Sequence, residues 1–443
     1  MITRIENARD AHTGRPLTLA FEDGSLAAGG LGTIVEERRG RDADRVVDAR
    51  GARLAPGLVD LHVHLRTPGQ EAKETLASGT AAAAAGGFTA VACMPNTRPV
   101  VDTPAAVEGL RARAAAEGRC RVLPIAAVTI GQRGERLTDF HALRAAGAVA
   151  LSDDGRPIVS AAVMRRALEY ARPTGLPIVC HEEDLTLRGE GCMNEGAVAT
   201  RLGVPGIPAA AESVMVRRDV ELAALADGRV HFAHLSCAAS LDALRDAKRR
   251  DLRASGETCP HYFTLTDEAV AAWGADAKMN PPLRSERDRD AVITALADGT
   301  LDCLVTDHAP HTAEEKRQPL DRAPFGIVGL ETALALTRTF LVRPGHLTLA
   351  RALELWTDAP RRLFGLPAVT LEPGSPADLV LLDPDAEWRV EPERFLSKGR
   401  STPFAGWTLS VRVLLTVCGG EITHLDPGVR VARARGETAG VAG

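Results

Sequence analysis

The 443-residue sequence lacks the marks of several protein classes. No apolar run approaches the roughly 20 residues that cross a bilayer. The opening "MITRIENARD" has no apolar signal-peptide core. Eight cysteines lie scattered at 93, 120, 180, 192, 237, 259, 303 and 418 without a CxxC pair. That argues against a disulfide framework and for reduced thiols, hence a cytoplasmic setting. Net charge is −5, with no basic block and no acidic tail, so neither nucleic acid nor membrane is an expected partner. Internal repeats are absent. No convincing GxGxxG follows the first strand candidate, which counts against an open dinucleotide-binding sheet.

What is present is a chain 45% hydrophobic, long enough for one large domain and a smaller one. From residue 57 to about 360, short apolar runs alternate with helix-like stretches. Strands are expected at 58–65, 89–94, 121–128, 148–152, 177–181, 230–234, 253–259 and 302–307. Helical patterns occupy 73–85, stopped by Gly86-Gly87, then 104–117, 160–172, 212–226 and 238–250. Eight strands alternating with helices over some 300 residues predict an α/β fold, a (β/α)8 TIM barrel. The ends are β-like and broken by Gly and Asp; "VRVLLTVCGGEITHL" reads as a hairpin turning at Gly419-Gly420. Neither end offers much core alone, so residues 1–55 and 363–443 are expected to form one small β-domain beside a barrel of 56–362. The polar tail 426–443 is expected to fray.

Barrel enzymes place their chemistry at the C-terminal ends of the strands. In "GLVDLHVHLR", residues 57–66, strand alternation puts Asp60, His62 and His64 on one face. Further strand ends carry Asp153-Asp154, His181, His234 and Asp307. Four imidazoles and two carboxylates would then meet on one rim. That donor set suits Zn2+ and similar ions, and the count exceeds one tetrahedral site. A metal pair bridged by a carboxylate fits better, with Asp153 and Asp154 competing for the bridge. His231, at odd spacing from His234, should point to the other face and pack. His261 reads as structural, His308 as a support beside Asp307, and His12, His141, His346 and His424 as solvated. Glu182 and Glu183 read as salt-bridged or loop groups.

These motifs resemble the amidohydrolase superfamily, and within it the dihydroorotase family. "PGLVDLHVHLRTPGQEAKET" (56–75), "CMPNTRPV" (93–100), "SDDG" (152–155), "HEED" (181–184), "AHLS" (233–236), "KMNPPLR" (278–284) and "VTDHAPH" (305–311) follow the family's order. "GSPADLVLLD" (374–383) resembles the superfamily's C-terminal β-domain. The resemblance implies reversible ring closure of N-carbamoyl-L-aspartate to (S)-dihydroorotate in pyrimidine biosynthesis. Many relatives bridge their metals with a carboxylated lysine; "ALSDDG" has none and is similar to the class I subgroup that uses the second aspartate. The implied ligands are His62, His64, Asp154, His181, His234 and Asp307, holding one or two Zn2+. The implied substrate contacts are His64, Arg66, Asn96, Asn280 and His311, with backbone contacts from Phe325 and Gly326. A homodimer, and room for association with aspartate transcarbamoylase, follow from the same resemblance.

A divalent cation lowers the pKa of bound water to about 7 and so supplies a hydroxide nucleophile at neutral pH. Asp307 is the candidate general acid/base, passing a proton between the attacking water and the leaving nitrogen. Arg66 offers a planar fork for a substrate carboxylate. The polar, Pro-bearing stretch 311–326 is long for a barrel connection and reads as a lid. The competing readings are another cyclic amidohydrolase (dihydropyrimidinase, hydantoinase or allantoinase), a mononuclear deaminase, and a scaffold without activity. Arg66, the extra strand-four aspartate and the complete donor set argue against the three in turn.

Overall fold

The computed structural model describes residues 2–27 and 45–433. All eight expected strands form: Leu58–Val63, Phe88–Cys93, Arg121–Ala126, Ala150–Ser152, Ile178–Cys180, Val230–Phe232, Ala254–Thr258 and Cys303–Leu304. They pair in parallel and in chain order. The ring closes where Val63 bridges His308 and the His64 amide donates to the His308 carbonyl at 2.8 Å. Every side chain of the first strand is buried, as parallel strands covered on both faces require.

The ladders stop earlier than the apolar runs suggested. His64, His181, His234 and Asp307 all lie just past the last paired residue of their strands. Three residues at this rim sit in the left-handed region: Arg66 (φ 56°), His234 (φ 34°) and Asp307 (φ 47°). Such backbone cannot continue a ladder, and in non-glycine residues it clusters at functional sites.

Helices follow the strands close to their expected limits, as with Pro104–Glu117, Ala161–Ala171, Ala210–Ala226 and Ala238–Arg249. The first starts at Leu76 rather than residue 73, because Thr75 caps it and closes a capping box with Ser78.

The two chain ends build one nine-stranded sheet. Arg53–Pro56, from the N-terminal end, pairs antiparallel with Leu379–Leu382 from the C-terminal end. Ile5, Leu19, Phe21, Leu54, Leu381 and Leu415 pack into its own core. Thr408–Cys418 and Glu421–Leu425 form the expected hairpin; Gly419 (φ 58°) and Gly420 (φ 82°) supply its turn. The expected fraying from 426 is corrected in part: Val431–Arg433 pairs with Arg45–Val47. Residues 434–443 lie outside the described residues, as do 28–44. Among the described residues no helix is long and apolar enough to cross a membrane.

Candidate metal centre and substrate cleft

The floor of the barrel mouth is a hydrogen-bonded carboxylate layer. Asp60 accepts from the His62 amide at 3.0 Å and from the Thr306 hydroxyl at 2.6 Å, tying the first strand to the eighth. Burial pushes its pKa up to about 7 against those bonds. Glu257, on the seventh strand, receives His62 Nδ1 at 2.8 Å on one oxygen and His231 Nε2 at 3.0 Å on the other. Burial would raise the Glu257 pKa, but the bonds from His231 and His62 hold it down at about 2. His62 thus gives Nδ1–H to Glu257 and turns the lone pair of Nε2 to the cleft. There Nε2 lies 3.5 Å from Asp154 Oδ1 and 3.6 Å from Asp307 Oδ1.

The other candidates surround that atom. His64 Nε2 is 3.1 Å from Asp307 Oδ1 and 3.6 Å from Asp154 Oδ2. Its Nδ1 meets Asn96 Oδ1 at 3.0 Å, while Asn96 Nδ2 donates to Asp154 Oδ2 at 3.0 Å. His181 Nδ1 lies 3.0 Å from His234 Nε2 and 3.7 Å from Asp154 Oδ1. Asp154 faces this cluster and Asp153 does not, because Asp153 accepts from the amide and hydroxyl of Thr129.

The donor set fits a divalent ion. His62, His64 and Asp307 place ligand atoms within 4.8 Å of one another, as do His62, Asp154 and His234. Among the described residues, His62 Nε2, Asp154 Oδ1 and His234 Nδ1 are buried with no hydrogen-bond partner. Orphaned buried donors and acceptors are costly unless something binds them. Burial raises the Asp307 pKa, yet the His64 bond and the His62, His64 and His234 rings hold it far below the carboxylate range.

A cleft of about 230 Å3 opens onto the cluster, and every sequence-predicted site residue except the deeper His62 lines it. A larger cavity of about 300 Å3, beside Trp388 and Phe395, holds none of them. Arg66 is 9% exposed and donates Nε–H to the Pro310 carbonyl at 3.2 Å. The Lys73 ammonium reaches His311 Nδ1 at 3.2 Å, so that nitrogen accepts, and His311 Nε2–H donates to the Phe325 carbonyl at 2.8 Å. Burial and the Arg66, Lys73 and Lys316 cations push His311 down to about 3, leaving it a neutral donor. Asn280 donates to Glu183 at 3.0 Å. The backbone groups at Phe325-Gly326 are already engaged: Gly326 N–H donates to Lys278 O at 2.9 Å, and Gly326 O accepts from Lys316 at 2.8 Å.

Sequence reasoning missed several contributors. Glu257 is the main one; its signal was a lone acid inside a buried strand, which must find a partner. His231 points away from the cleft as expected, yet it bonds Glu257 rather than merely packing. Lys73 and Arg188 join Arg66 around the mouth, and Arg188 stands over the Phe325 ring at 5.4 Å. The His308 ring turns from the cluster, meeting Glu74 Oε2 at 3.3 Å and accepting from the Gly329 amide, while its backbone carbonyl receives the His64 amide at 2.8 Å. His424 is half-buried rather than solvated. Among the described residues Glu182 has no cation within ion-pair distance; the nearby Asp219 is held by Arg218 at 2.6 Å.

A parallel eight-stranded barrel with a sheet built from both chain ends, and a His/Asp cluster at its mouth, defines the architecture of the cyclic amidohydrolases. L-Hydantoinase from Arthrobacter aurescens superposes with a TM-score of 0.83 over 95% of both chains at 24% identity. Dihydropyrimidinase from Brevibacillus agri gives 0.81 over the same shares at 23% identity. These likenesses concern the fold. In sequence, a family described as Dihydro-orotase-like matches residues 51–240. Dihydroorotase from Anaeromyxobacter dehalogenans strain 2CP-1 is 55% identical over 411 residues, 92% of this chain and 93% of that protein. That from Desulforapulum autotrophicum is 52% identical over 378 residues, 85% of this chain and 88% of the relative. The chain belongs to the dihydroorotase family.

Proposed function

We propose that the chain catalyses the reversible hydrolysis of (S)-dihydroorotate to N-carbamoyl-L-aspartate, the cyclic-amide step of de novo pyrimidine synthesis. The observation that carries this reading is Arg66. A buried guanidinium opens into the same cleft as the His/Asp cluster, so the ring that reacts must bring an anionic group. Neutral hydantoins and dihydropyrimidines leave that charge unmet, which disfavours the neighbouring activities despite the shared fold.

His62, His64, Asp154, His181, His234 and Asp307 would hold one or two Zn2+. A bound ion of this kind supplies water of lowered pKa and polarises the amide carbonyl. The protein's own part is positioning and proton transfer. Asn96 fixes both His64 and Asp154. Arg66, Asn280 and the neutral His311 orient the substrate carboxylate and ring. Asp307, kept as a carboxylate by its histidine neighbours, takes a proton from the attacking water and delivers it to the departing ring nitrogen. In the synthetic direction the proton returns by the same path.

Three supporting assignments belong to this reading. Seven buried free thiols suit a reducing cytoplasm. The working unit is a homodimer, with an aspartate transcarbamoylase surface left to binding experiments. The domain boundaries fall near 55 and 363, supported by the direct run from Arg53–Pro56 into the first barrel strand.

The test is a purified-chain assay with dihydroorotate, hydantoin, dihydrouracil and allantoin, after chelation and again after zinc add-back. Zinc-restored turnover of dihydroorotate alone is expected. Equal or greater turnover of an uncharged ring would overturn the assignment.

A further inference from the structure

The segment 311–326 leaves the eighth strand and returns to the cleft at Phe325-Gly326. Near its start, Thr312 caps the helical turn Ala313–Lys316: its hydroxyl accepts from Glu315 N at 3.2 Å, and the Glu315 carboxylate accepts from Thr312 N at 3.1 Å. This turn throws Lys316 inward, where it is only 7% exposed. Its ammonium donates to three carbonyls: Gly326 at 2.8 Å, Pro324 at 3.2 Å and Lys278 at 3.4 Å. Among the described residues no carboxylate lies within ion-pair distance of it.

Two stretches of backbone therefore share one cation. One is the returning arm Pro324–Gly326, whose Phe325 carbonyl receives His311. The other is the Lys278–Asn280 stretch, which carries Asn280 into the cleft and accepts the Gly326 amide at Lys278 O. An ammonium has three donors, matching three acceptors. Burial lowers the Lys316 pKa to about 8, so holding the charge there costs stability. An apolar side chain of the same length would fill the space without that cost, but would leave three carbonyls untied.

We propose that Lys316 is a positioning residue for substrate, tying the Pro324–Gly326 arch to the Lys278–Asn280 segment so that His311 and Asn280 face the bound ring. This rests on the dihydroorotase reading above. Lys316 touches neither the metal cluster nor the reacting atoms, so its effect falls on substrate capture and not on the chemical step.

The experiment compares the zinc-loaded full chain with Lys316→Met and Lys316→Arg. For Lys316→Met the expected result is a tenfold or greater rise in KM for dihydroorotate. Its kcat should stay within threefold and zinc content should be unchanged. Lys316→Arg, which keeps the charge and donors, should recover part of the KM loss. An unchanged KM in Lys316→Met, or a parallel fall of kcat and Tm in both variants, would overturn the proposal. Backbone hydrogen exchange across 311–326 separates this from the functional reading. If the parent does not turn over dihydroorotate, the reading fails, while faster exchange in Lys316→Met still supports the tie and unchanged exchange removes it.

Discussion

Glu257 shows how one residue can organise the site without facing the substrate. It accepts from His62 and His231 at once, and so sets which nitrogen of His62 is left bare. Replacing it by Gln leaves one of these rings with an unsuitable partner. Loss of such a support typically weakens metal affinity about 10–100-fold. Zinc titration against a competing chelator should show that drop for Glu257→Gln, with circular dichroism unchanged. Asp307 carries a different load. Asp307→Asn keeps the shape but cannot take a proton, and turnover should fall about a hundred- to ten-thousandfold. Near-normal turnover of dihydroorotate by that variant would remove Asp307 from proton transfer. Both acids approach His62, yet only Asp307 was legible in the sequence. It stands in the recognisable "VTDHAPH", whereas Glu257 gains its meaning from rings on two other strands.

At the scale of elements, the strand ends and the returning loop do the positioning. Gly326 has φ +129°, and a Cβ there would stand 2.6 Å from the Ala309 carbonyl oxygen. Gly326→Ala must therefore move the arch; forced backbone of this type costs about 1–3 kcal/mol. A raised KM for dihydroorotate together with a lower Tm is expected. Beyond the eighth strand, Glu331 accepts from the amides of Leu396 and Ser397. Burial, outweighing those bonds, pushes its pKa from 4.5 up to about 7. The folded state then binds this proton more tightly than the unfolded state. Its contribution is fully present below pH 4.5 and is lost as pH rises through about 7. Asp60 acts with the same sign, so the comparison with Glu331→Gln isolates the effect. Between those limits the Tm of the parent should fall relative to the variant; parallel Tm curves would refute the assignment. Strand positions were readable because apolar runs bounded by turns are a local signal. Their last residues were not, because Arg66, His234 and Asp307 adopt left-handed backbone that neighbouring elements impose.

For the whole molecule, barrel closure is what makes a site at all. Residues 62 and 307 are far apart in the chain, and they meet only because the eighth strand returns beside the first at Val63 and His308. The end-derived sheet braces this barrel from outside, with the Thr416 hydroxyl donating to the Ala84 carbonyl at 2.7 Å. Because the donors converge from five strands, metal binding should also stabilise the fold. Chelation should lower Tm as well as abolish turnover, and zinc should restore both; a Tm indifferent to chelation would contradict a centre built into the barrel mouth. Light scattering of the pure chain tests the dimer at the same scale.

The sequence by itself determined the barrel and the paired chain ends, and offered five candidate donors outright, since periodicity, turn residues and motif order are properties of neighbouring positions. It left Asp153 and Asp154 as equals, apart from family resemblance. Tertiary structure decided between them, because Thr129 on another connection engages Asp153 and leaves Asp154 free to face the histidines. It alone also supplied Glu257 beneath His62 and Lys316 behind Gly326, for both depend on distances between segments that no local pattern encodes.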